Sequence, residues 1–243
     1  MFKYLRAILV CGPRIIFEYF AWMIKYSRHP EKYPLEERYK KVRSLLLFIS
    51  KWLHVDISVD NIEEYNNRDK ACLIVSNHLS NYDPLALICI SEKPLTFVAK
   101  IETKKFPFIG RIIRAIDGVF LDRKNIRQEI EVIKYVSKQI EENKLSYCIF
   151  PEGTRNKNHN SDMLEFKPGA FKIATKSNCD VILASLTGTY KVLESKYNQN
   201  RFPVTISFLK TYKADYINEK TTVEFAKESR LIIKDNLDSK ETI

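Results

Sequence analysis

From about residue 54 onward, short apolar runs alternate with longer stretches that have the periodicity of amphipathic helices. Short apolar runs bounded by turn-forming residues are typical of buried strands. Strands separated by helices form layered sheets whose faces the helices cover. We therefore expect an α/β domain with a mostly parallel or mixed central sheet flanked by helices. The predicted strands are 54–59, 71–76, 96–99, 118–122, 145–150, 181–186 and 204–208, and the predicted helices are 84–90, 107–116, 125–142, 168–177 and one opened by a capping box at Thr221 and Glu224.

One predicted strand-to-helix loop carries a candidate catalytic pair. His78 follows the strand 71–76, and Asp83 stands directly before Pro84. Asp is a preferred helix N-cap and proline is tolerated at the first helical position, so a helix is expected to begin here. A neutral imidazole can take a proton from a hydroxyl group, while a carboxylate on its other nitrogen fixes the tautomer. A simple N-cap beside an ordinary loop histidine explains these residues equally well.

Further candidate residues follow directly on other predicted strands: Lys100, Arg123, and the run Glu152, Gly153, Thr154 and Arg155. In open α/β sheets, ligands bind at the carboxyl ends of the strands. The set combines fixed cations with a glycine turn whose backbone N–H groups can bind an anion. Together with His78, it suits an anionic substrate whose hydroxyl group is deprotonated beside a carbonyl that develops negative charge.

The composition limits the class of partner. The chain has 243 residues and a formal net charge of +10, which favours an anionic partner such as nucleic acid, an acidic membrane surface or a phosphorylated substrate. The cysteines are scattered without a CxxC pair, which indicates small buried hydrophobic residues in a reducing compartment. The histidines are isolated and no HExxH occurs, so we predict neither a metal site nor a cofactor.

The chain is predicted to divide into two parts. Residues 1–53 are expected to form an amphipathic two-helix segment that associates with a membrane, and residues 54–243 the α/β domain. The second of these helices repeats apolar residues at spacings of three and four after Pro34, a pattern that fits packing on the main domain as well as it fits membrane contact.

The first apolar segment is not expected to cross a membrane. Arg14 and Glu18 would each cost about 2.5–3.5 kcal/mol at the centre of a bilayer, and Gly12-Pro13 is expected to split the run. Arg14, Glu18 and Lys25 fall within about 40° of one another on a helical wheel. One narrow charged stripe on an otherwise apolar helix is typical of a helix lying in the membrane interface.

These blocks resemble the motifs of the glycerolipid acyltransferase family, and most closely those of the 1-acyl-sn-glycerol-3-phosphate (lysophosphatidate) acyltransferases. The run from Asn77-His78 to Asp83 looks like the family's NHxxxxD block. Residues 118–123 are similar to its second block, residues 150–155 read FPEGTR like its third, and residues 166–170 resemble the stretch that usually follows. In the fourth block, Ser185 stands where the family usually has a proline, a departure that concerns acyl-chain binding rather than the chemistry.

The resemblance implies an enzyme that moves a fatty acyl group from acyl-CoA or acyl-carrier protein to the sn-2 hydroxyl of lysophosphatidate, giving phosphatidate in phospholipid biosynthesis. His78 would be the base and Asp83 its orienting partner. The substrate-binding residues implied are Lys100, Arg123, Glu152, Gly153, Thr154 and Arg155. The resemblance also implies membrane lipids rather than nucleic acid as partners, no cofactor, and a peripheral or monotopic location on the cytosolic side of the cytoplasmic membrane.

Other classes of function stay open. A serine hydrolase also uses a His–Asp pair, although no GxSxG elbow occurs. A non-catalytic protein that binds lipid or nucleic acid would explain the positive charge and the apolar amino terminus, and nucleic-acid affinity would fall steeply with salt. Within the acyltransferases, glycerol-3-phosphate or another lysophospholipid is the alternative acceptor.

Overall fold

The computed structural model of the chain describes residues 2–158, 163–193 and 199–241. The strands within these ranges are β1 (Val55–Asp60), β2 (Leu73–Ser76), β3 (Leu95–Lys100), β4 (Val119–Leu121), β5 (Ser146–Ile149), β6 (Val181–Thr187) and β7 (Phe202–Tyr212). The α-helices are α1 (Phe2–Glu18), α2 (Ile24–Arg28), α3 (Leu35–Trp52), α4 (Ile62–Asn66), α5 (Asp83–Ile90), α6 (Pro107–Ala115), α7 (Ile126–Glu141), α8 (Lys172–Ser177), α9 (Tyr190–Leu193), α10 (Ala214–Asn218) and α11 (Thr222–Glu241). A π-helical turn joins α1 to α2 at Tyr19–Met23, and 3₁₀ turns span Pro30–Lys32, Ile101–Lys105 and Pro168–Phe171.

The strands form one sheet in the order β1-β7-β6-β2-β5-β3-β4. Neighbouring strands are parallel except β6 and β7, which pair antiparallel. The predicted α/β fold with a mostly parallel sheet is therefore confirmed. Because β6, β2, β5, β3 and β4 are parallel neighbours, their carboxyl ends lie side by side along one edge of the sheet, the carboxyl edge.

The central strands are buried on both faces. In β2, Leu73 and Val75 belong to the core cluster on one face, whereas Ile74 belongs to the cluster on the other. This division follows from the pleat, because successive side chains of a strand point to opposite faces. Every residue of β2 and β5 is buried, which explains why both strands read as short runs without polar alternation.

The amino-terminal helices share the core of the sheet. Trp22, Met23 and Tyr26, from the π-helical turn and α2, belong to the same buried cluster as Ile74 of β2. α3 contributes four more residues to this cluster: Tyr39, Val42, Leu45 and Leu46. The two helical elements are thus part of one packed body with the sheet, rather than a separate hairpin.

A buried arginine fastens α3 to the turn before β4. The side chain of Arg38 is 5% exposed, and its guanidinium donates to the two carboxylate oxygens of Asp117 at 2.9 and 2.8 Å. It also donates to the carbonyl of Ala115 at 2.6 Å and to that of Tyr33 at 3.0 Å. A buried charge is tolerated when it is paired and its remaining N–H groups are bonded. This network therefore fixes the position of α3 on the α/β body.

α1 directs charged residues toward α3 and large apolar residues outward. Arg14 pairs with Glu18 at 3.3 Å, and its guanidinium lies 4.1 Å from the centre of the Phe48 ring of α3. On the outward side of α1, which we define to include Phe20 of the π-helical turn, each of the following residues is 61–70% exposed: Leu9, Ile16, Phe17 and Phe20. In the part of the chain that the structure describes, no helix is long and apolar enough to span a bilayer. The described residues also leave this apolar side uncovered.

Several local predictions differ from the structure. The prediction that Gly12-Pro13 would split the first helix is wrong, because α1 continues through Pro13 and its packing along α3 offsets the hydrogen bond that proline removes. Asp83 is the first residue of α5 rather than its N-cap. The predicted helix 168–177 is a 3₁₀ turn followed by α8, and 204–208 is the middle of the longer β7.

Candidate active site

The loop that follows β2 is anchored by Asn77. The Asn77 side chain donates to the carbonyl of Leu186 at 3.0 Å and accepts the Leu186 N–H at 2.8 Å. These two bonds continue the pairing of β2 with β6 beyond Ser76 and Ala184, and they satisfy the buried amide group. The Asn77 side chain therefore fixes the start of this loop at the carboxyl edge of the sheet.

The loop brings His78 and Asp83 into contact. His78 Nδ1 lies 2.7 Å from Oδ2 of Asp83, whose side chain is fully buried. The same oxygen accepts the backbone N–H groups of Leu79 and Ser80 at 2.7 and 2.8 Å. Because these amide donors stabilise the ionised carboxylate, Nδ1 is assigned the ring hydrogen and Nε2 is the nitrogen able to accept a proton.

Aromatic stacking fixes the orientation of the imidazole. The rings of His78 and Phe150 stack with centroids 4.2 Å apart and an angle of 17° between their planes. Phe150 directly follows β5 and itself stacks on Phe97 of β3. The His78 side chain is 16% exposed, so the ring is held on two sides and still reaches the solvent-facing side of the loop.

Glu152 supports the backbone of the loop that carries His78. It is 3% exposed, and its Oε1 accepts the backbone N–H of His78 at 2.6 Å. Asn156 donates its own N–H to the His78 carbonyl at 2.8 Å. Burial raises the pKa of Glu152 to about 7, the His78 N–H opposes that rise, and the nearby Asp83 adds to it. Both peptide groups of the candidate base are thus held by the loop after β5.

Gly153 occupies a turn that only glycine fits without strain. Its φ is +72°, and its N–H donates to the carbonyl of Phe150 at 3.0 Å. A Cβ at this position would lie 2.9 Å from Nζ of Lys167, whose side chain passes over the glycine. Lys167 lies in the 166–170 stretch but was not among the predicted site residues.

The predicted cations stand at the same edge but in different environments. Lys100, at the end of β3, is exposed and pairs with Glu102 at 3.0 Å. Arg123, after β4, is exposed, and Arg155, after β5, is half-buried beside the exposed Thr154. Among the described residues, no carboxylate lies within ion-pair distance of either arginine. Adjacent strands are about 4.8 Å apart. Arg155 follows β5, the neighbour of the strand β2 that precedes His78, whereas Arg123 follows β4, which is three strands or about 14 Å from β2.

The contacts that hold this loop were not predicted, because they join residues that are far apart in the chain. Asn77 bonds to Leu186 across 109 residues, and Glu152 bonds to His78 across 74. No local pattern reports such partners. The apolar Phe150, next to the charged run, was the only available sign of the stacking on His78.

Within the described ranges, no group of three or more His, Cys, Asp or Glu residues has the arrangement of a metal site.

Comparison with protein families gives a match over most of the body of the chain. Residues 56–187 match the family model described as Acyltransferase. A probable 1-acyl-sn-glycerol-3-phosphate acyltransferase of Mycoplasma genitalium is 32% identical, over 96% of this chain and 91% of the relative. The 1-acyl-sn-glycerol-3-phosphate acyltransferase of Saccharomyces cerevisiae is 28% identical, over 76% of this chain and 61% of the relative.

The fold is also found in a solved structure. The 1-acyl-sn-glycerophosphate (LPA) acyltransferase PlsC from Thermotoga maritima superposes with a TM-score of 0.69 and 23% sequence identity, covering 99% of this chain and 94% of the other. At this identity, the similarity shows that the two chains share a fold.

Proposed function

The chain belongs to the acyltransferase family, and from this premise we propose that it transfers a fatty acyl group from an acyl thioester to the sn-2 hydroxyl of 1-acyl-glycerol-3-phosphate, giving phosphatidate. The observation that carries the proposal is the contact of His78 with the buried Asp83 at the carboxyl edge, beside cations that can bind a phosphate. The names of relatives in Mycoplasma genitalium and Saccharomyces cerevisiae support this acceptor.

In the proposed reaction, His78 is the general base. Its Nε2 takes the proton of the sn-2 hydroxyl, while Asp83 holds Nδ1–H and stabilises the imidazolium that forms. The hydroxyl oxygen attacks the thioester carbonyl directly, so a new C–O bond forms without an acyl-enzyme. As the tetrahedral intermediate collapses, the C–S bond breaks and the proton held by His78 passes to the departing thiolate.

The turn after β5 would stabilise the negative charge on the carbonyl oxygen. The N–H of Gly153 is already bonded to the Phe150 carbonyl, so the donors are assigned to the next backbone amides, of Thr154 and Arg155. Preorganised backbone donors of this kind typically contribute about 3–4 kcal/mol to the stabilisation of a transition state. Glu152 is assigned a positioning role through the His78 backbone, since its burial keeps it from the substrate.

The acceptor's phosphate is assigned to cations of the carboxyl edge. Arg155 is nearest to the strand of His78, and Arg123 and Lys100 extend the positive surface toward β3 and β4. A guanidinium can bind a phosphate through two parallel hydrogen bonds. Both arginines are proposed to contact the substrate, and Lys100, which pairs with Glu102, is proposed to act at longer range.

The lipid acceptor and the uncovered side of α1 point to a membrane surface. We propose that residues 1–53 associate with the cytosolic side of the membrane through the outward side of α1, and that residues 54–243 carry the chemistry. Exposed apolar residues such as Phe17 and Phe20 favour insertion into a membrane interface, and the net charge of +10 favours an anionic one. The enzyme would then be peripheral or monotopic.

The test is a thiol-release assay with the purified, membrane-bound protein and its His78→Ala variant. The wild-type protein is offered acyl-CoA and acyl-carrier protein as donors, and lysophosphatidate, glycerol-3-phosphate and other lysophospholipids as acceptors. His78→Ala is expected to lose nearly all turnover with little change in substrate affinity. His29→Ala is the matched control, because His29 is exposed and pairs with Glu31 away from the carboxyl edge.

The alternatives predict different results. Wild-type turnover in His78→Ala would refute the assignment of the base. A covalent acyl adduct in a stopped reaction would indicate a hydrolase-like mechanism. Binding to anionic liposomes without thioester consumption, equal in both variants, would indicate a non-catalytic lipid-binding protein.

A further inference from the structure

Lys167 extends over the glycine turn of the site. Its backbone N–H donates to the carbonyl of Pro151 at 2.9 Å, which fixes its Cα beside the loop after β5. Its side chain then passes over Gly153, with Nζ 2.9 Å and Cε 3.0 Å from the position that a Cβ would occupy. The missing Cβ is thus what makes room for the lysine. The ammonium group thereby lies over the turn that continues into Arg155.

Within the described ranges, the ammonium group of Lys167 has no carboxylate as a counter-charge. Among the described residues, no carboxylate lies within 4.0 Å of Nζ of Lys167. Glu165, which is close in sequence, pairs with Arg230 at 3.3 Å instead. Lys100 differs in this respect, because Glu102 already neutralises it at 3.0 Å. An exposed cation over the β5 turn, with no carboxylate partner among the described residues, is available to bind an anion.

The position of Lys167 also suits the geometry of the proposed acceptor. The turn under Lys167 follows β5, the immediate neighbour of the strand that carries His78, whereas Arg123 follows a strand two places farther on. In lysophosphatidate the sn-2 hydroxyl and the phosphate are on adjacent carbons of glycerol. A phosphate-binding group must therefore lie near the base, and a cation over the β5 turn meets this requirement more directly than one after β4.

We propose that Lys167, together with Arg155, binds the phosphate group of the acceptor and so selects phosphorylated acceptors over uncharged ones. The assignment rests on the proposed function and extends it by one substrate-binding residue. Arg123 stays a second contact of the substrate, and Lys100 acts at longer range.

The test compares Lys167→Met and Lys167→Arg with the wild-type protein in detergent micelles that contain lysophosphatidate. Loss of one charged contact to a phosphate is expected to raise KM for lysophosphatidate about 10-fold to 100-fold, with kcat within about twofold of wild type and KM for the acyl donor unchanged. Lys167→Arg is expected to restore most of the affinity. Lys176→Met is the matched control, since Lys176 is exposed at the end of α8, next to the amino edge where β6 begins.

The outcomes separate this inference from the proposed function. An unchanged KM for lysophosphatidate in Lys167→Met, in a protein whose wild type acylates that lipid, would refute the role of Lys167 alone. A raised KM for acyl-CoA with an unchanged KM for the acceptor would assign the lysine to the donor's phosphates and would also overturn the inference. If the wild-type protein does not acylate lysophosphatidate, the proposed function itself fails. Thermal unfolding of each variant checks that the fold is intact.

Discussion

The buried carboxyl group of Glu152 makes the stability of the protein depend on pH. Glu152 accepts the backbone N–H of His78 at 2.6 Å and is 3% exposed. Burial, opposed by the His78 N–H and reinforced by nearby Asp83, raises its pKa from 4.5 to about 7. In the variant Glu152→Gln, the amide oxygen can still accept the His78 N–H, while the group can no longer ionise.

The sign and size of the effect follow from that pKa. Between pH 4.5 and 7 the unfolded chain releases the Glu152 proton before the folded chain does, so the free energy of unfolding falls as pH rises through this window. The loss is on the order of 3 kcal/mol, since each pKa unit corresponds to about 1.4 kcal/mol. Relative to wild type, Glu152→Gln should therefore be near neutral at pH 5 and more stable by up to about 3 kcal/mol at pH 8.

The measurement is urea unfolding in detergent, followed by tryptophan fluorescence at pH 5, 6, 7 and 8. Glu131→Gln is the matched control, because Glu131 is exposed on α7 and the same substitution there should give no such trend. Glu152→Ala removes the acceptor of the His78 N–H and is expected to be less stable than Glu152→Gln by about 1–3 kcal/mol at every pH. If the stability of Glu152→Gln relative to wild type did not change between pH 5 and pH 8, the assignment of a buried, late-titrating carboxyl group would be refuted.

Two further predictions concern the amino-terminal helices. Arg38→Met leaves the partly buried Asp117 carboxylate without its ion pair and should lower the free energy of unfolding by about 3–5 kcal/mol. The same urea titration measures this loss. A loss below about 1 kcal/mol would show that the ion pair does not hold α3 on the α/β body. Phe17→Ser combined with Phe20→Ser removes two exposed rings, each worth about 1.5–3 kcal/mol when buried, and should weaken sedimentation with anionic liposomes about 100-fold or more. Ile126→Ser, at a residue that is 73% exposed on α7, is the control, and equal loss in both variants would contradict a membrane contact specific to α1.

The elements that the sequence predicts well are those whose burial shows in a local pattern. β2 and β5 are buried on both faces and read as bounded apolar runs. α7 has a regular apolar stripe, and Asn125 caps it by accepting the Gln128 N–H at 3.1 Å, as the sequence indicated. The capping box at Thr221 also forms, with Glu224 accepting the Thr221 N–H at 2.9 Å. In each case the residues that decide the structure are neighbours in sequence.

The parts that could not be predicted depend on partners far away in the chain. Chemistry alone pairs His78 with Asp83, but only the fold shows that Glu152 and Asn156 hold both peptide groups of the histidine. The continuation of α1 through Pro13 has the same origin, because packing against α3 outweighs a local tendency to break. The position of Lys167 could not be predicted either, because the tertiary path of the chain is what places its side chain over the β5 turn.

Under the proposed membrane contact of α1, the attachment of the amino-terminal helices determines how the site is placed relative to the lipid. Arg38 fixes α3 to the turn that leads into β4, and Arg111 of α6 donates to the side chains of Tyr19 and Ser27, at 2.9 Å in each case. The outward side of α1 therefore has one orientation relative to the carboxyl edge. An acceptor whose acyl chain stays in the membrane presents its glycerol and phosphate at a set height above the bilayer. A rigid connection between α1 and the loop that carries His78 would keep the imidazole at the same height as the acceptor's hydroxyl group. A flexible linker would leave the distance between the imidazole and the bilayer undetermined.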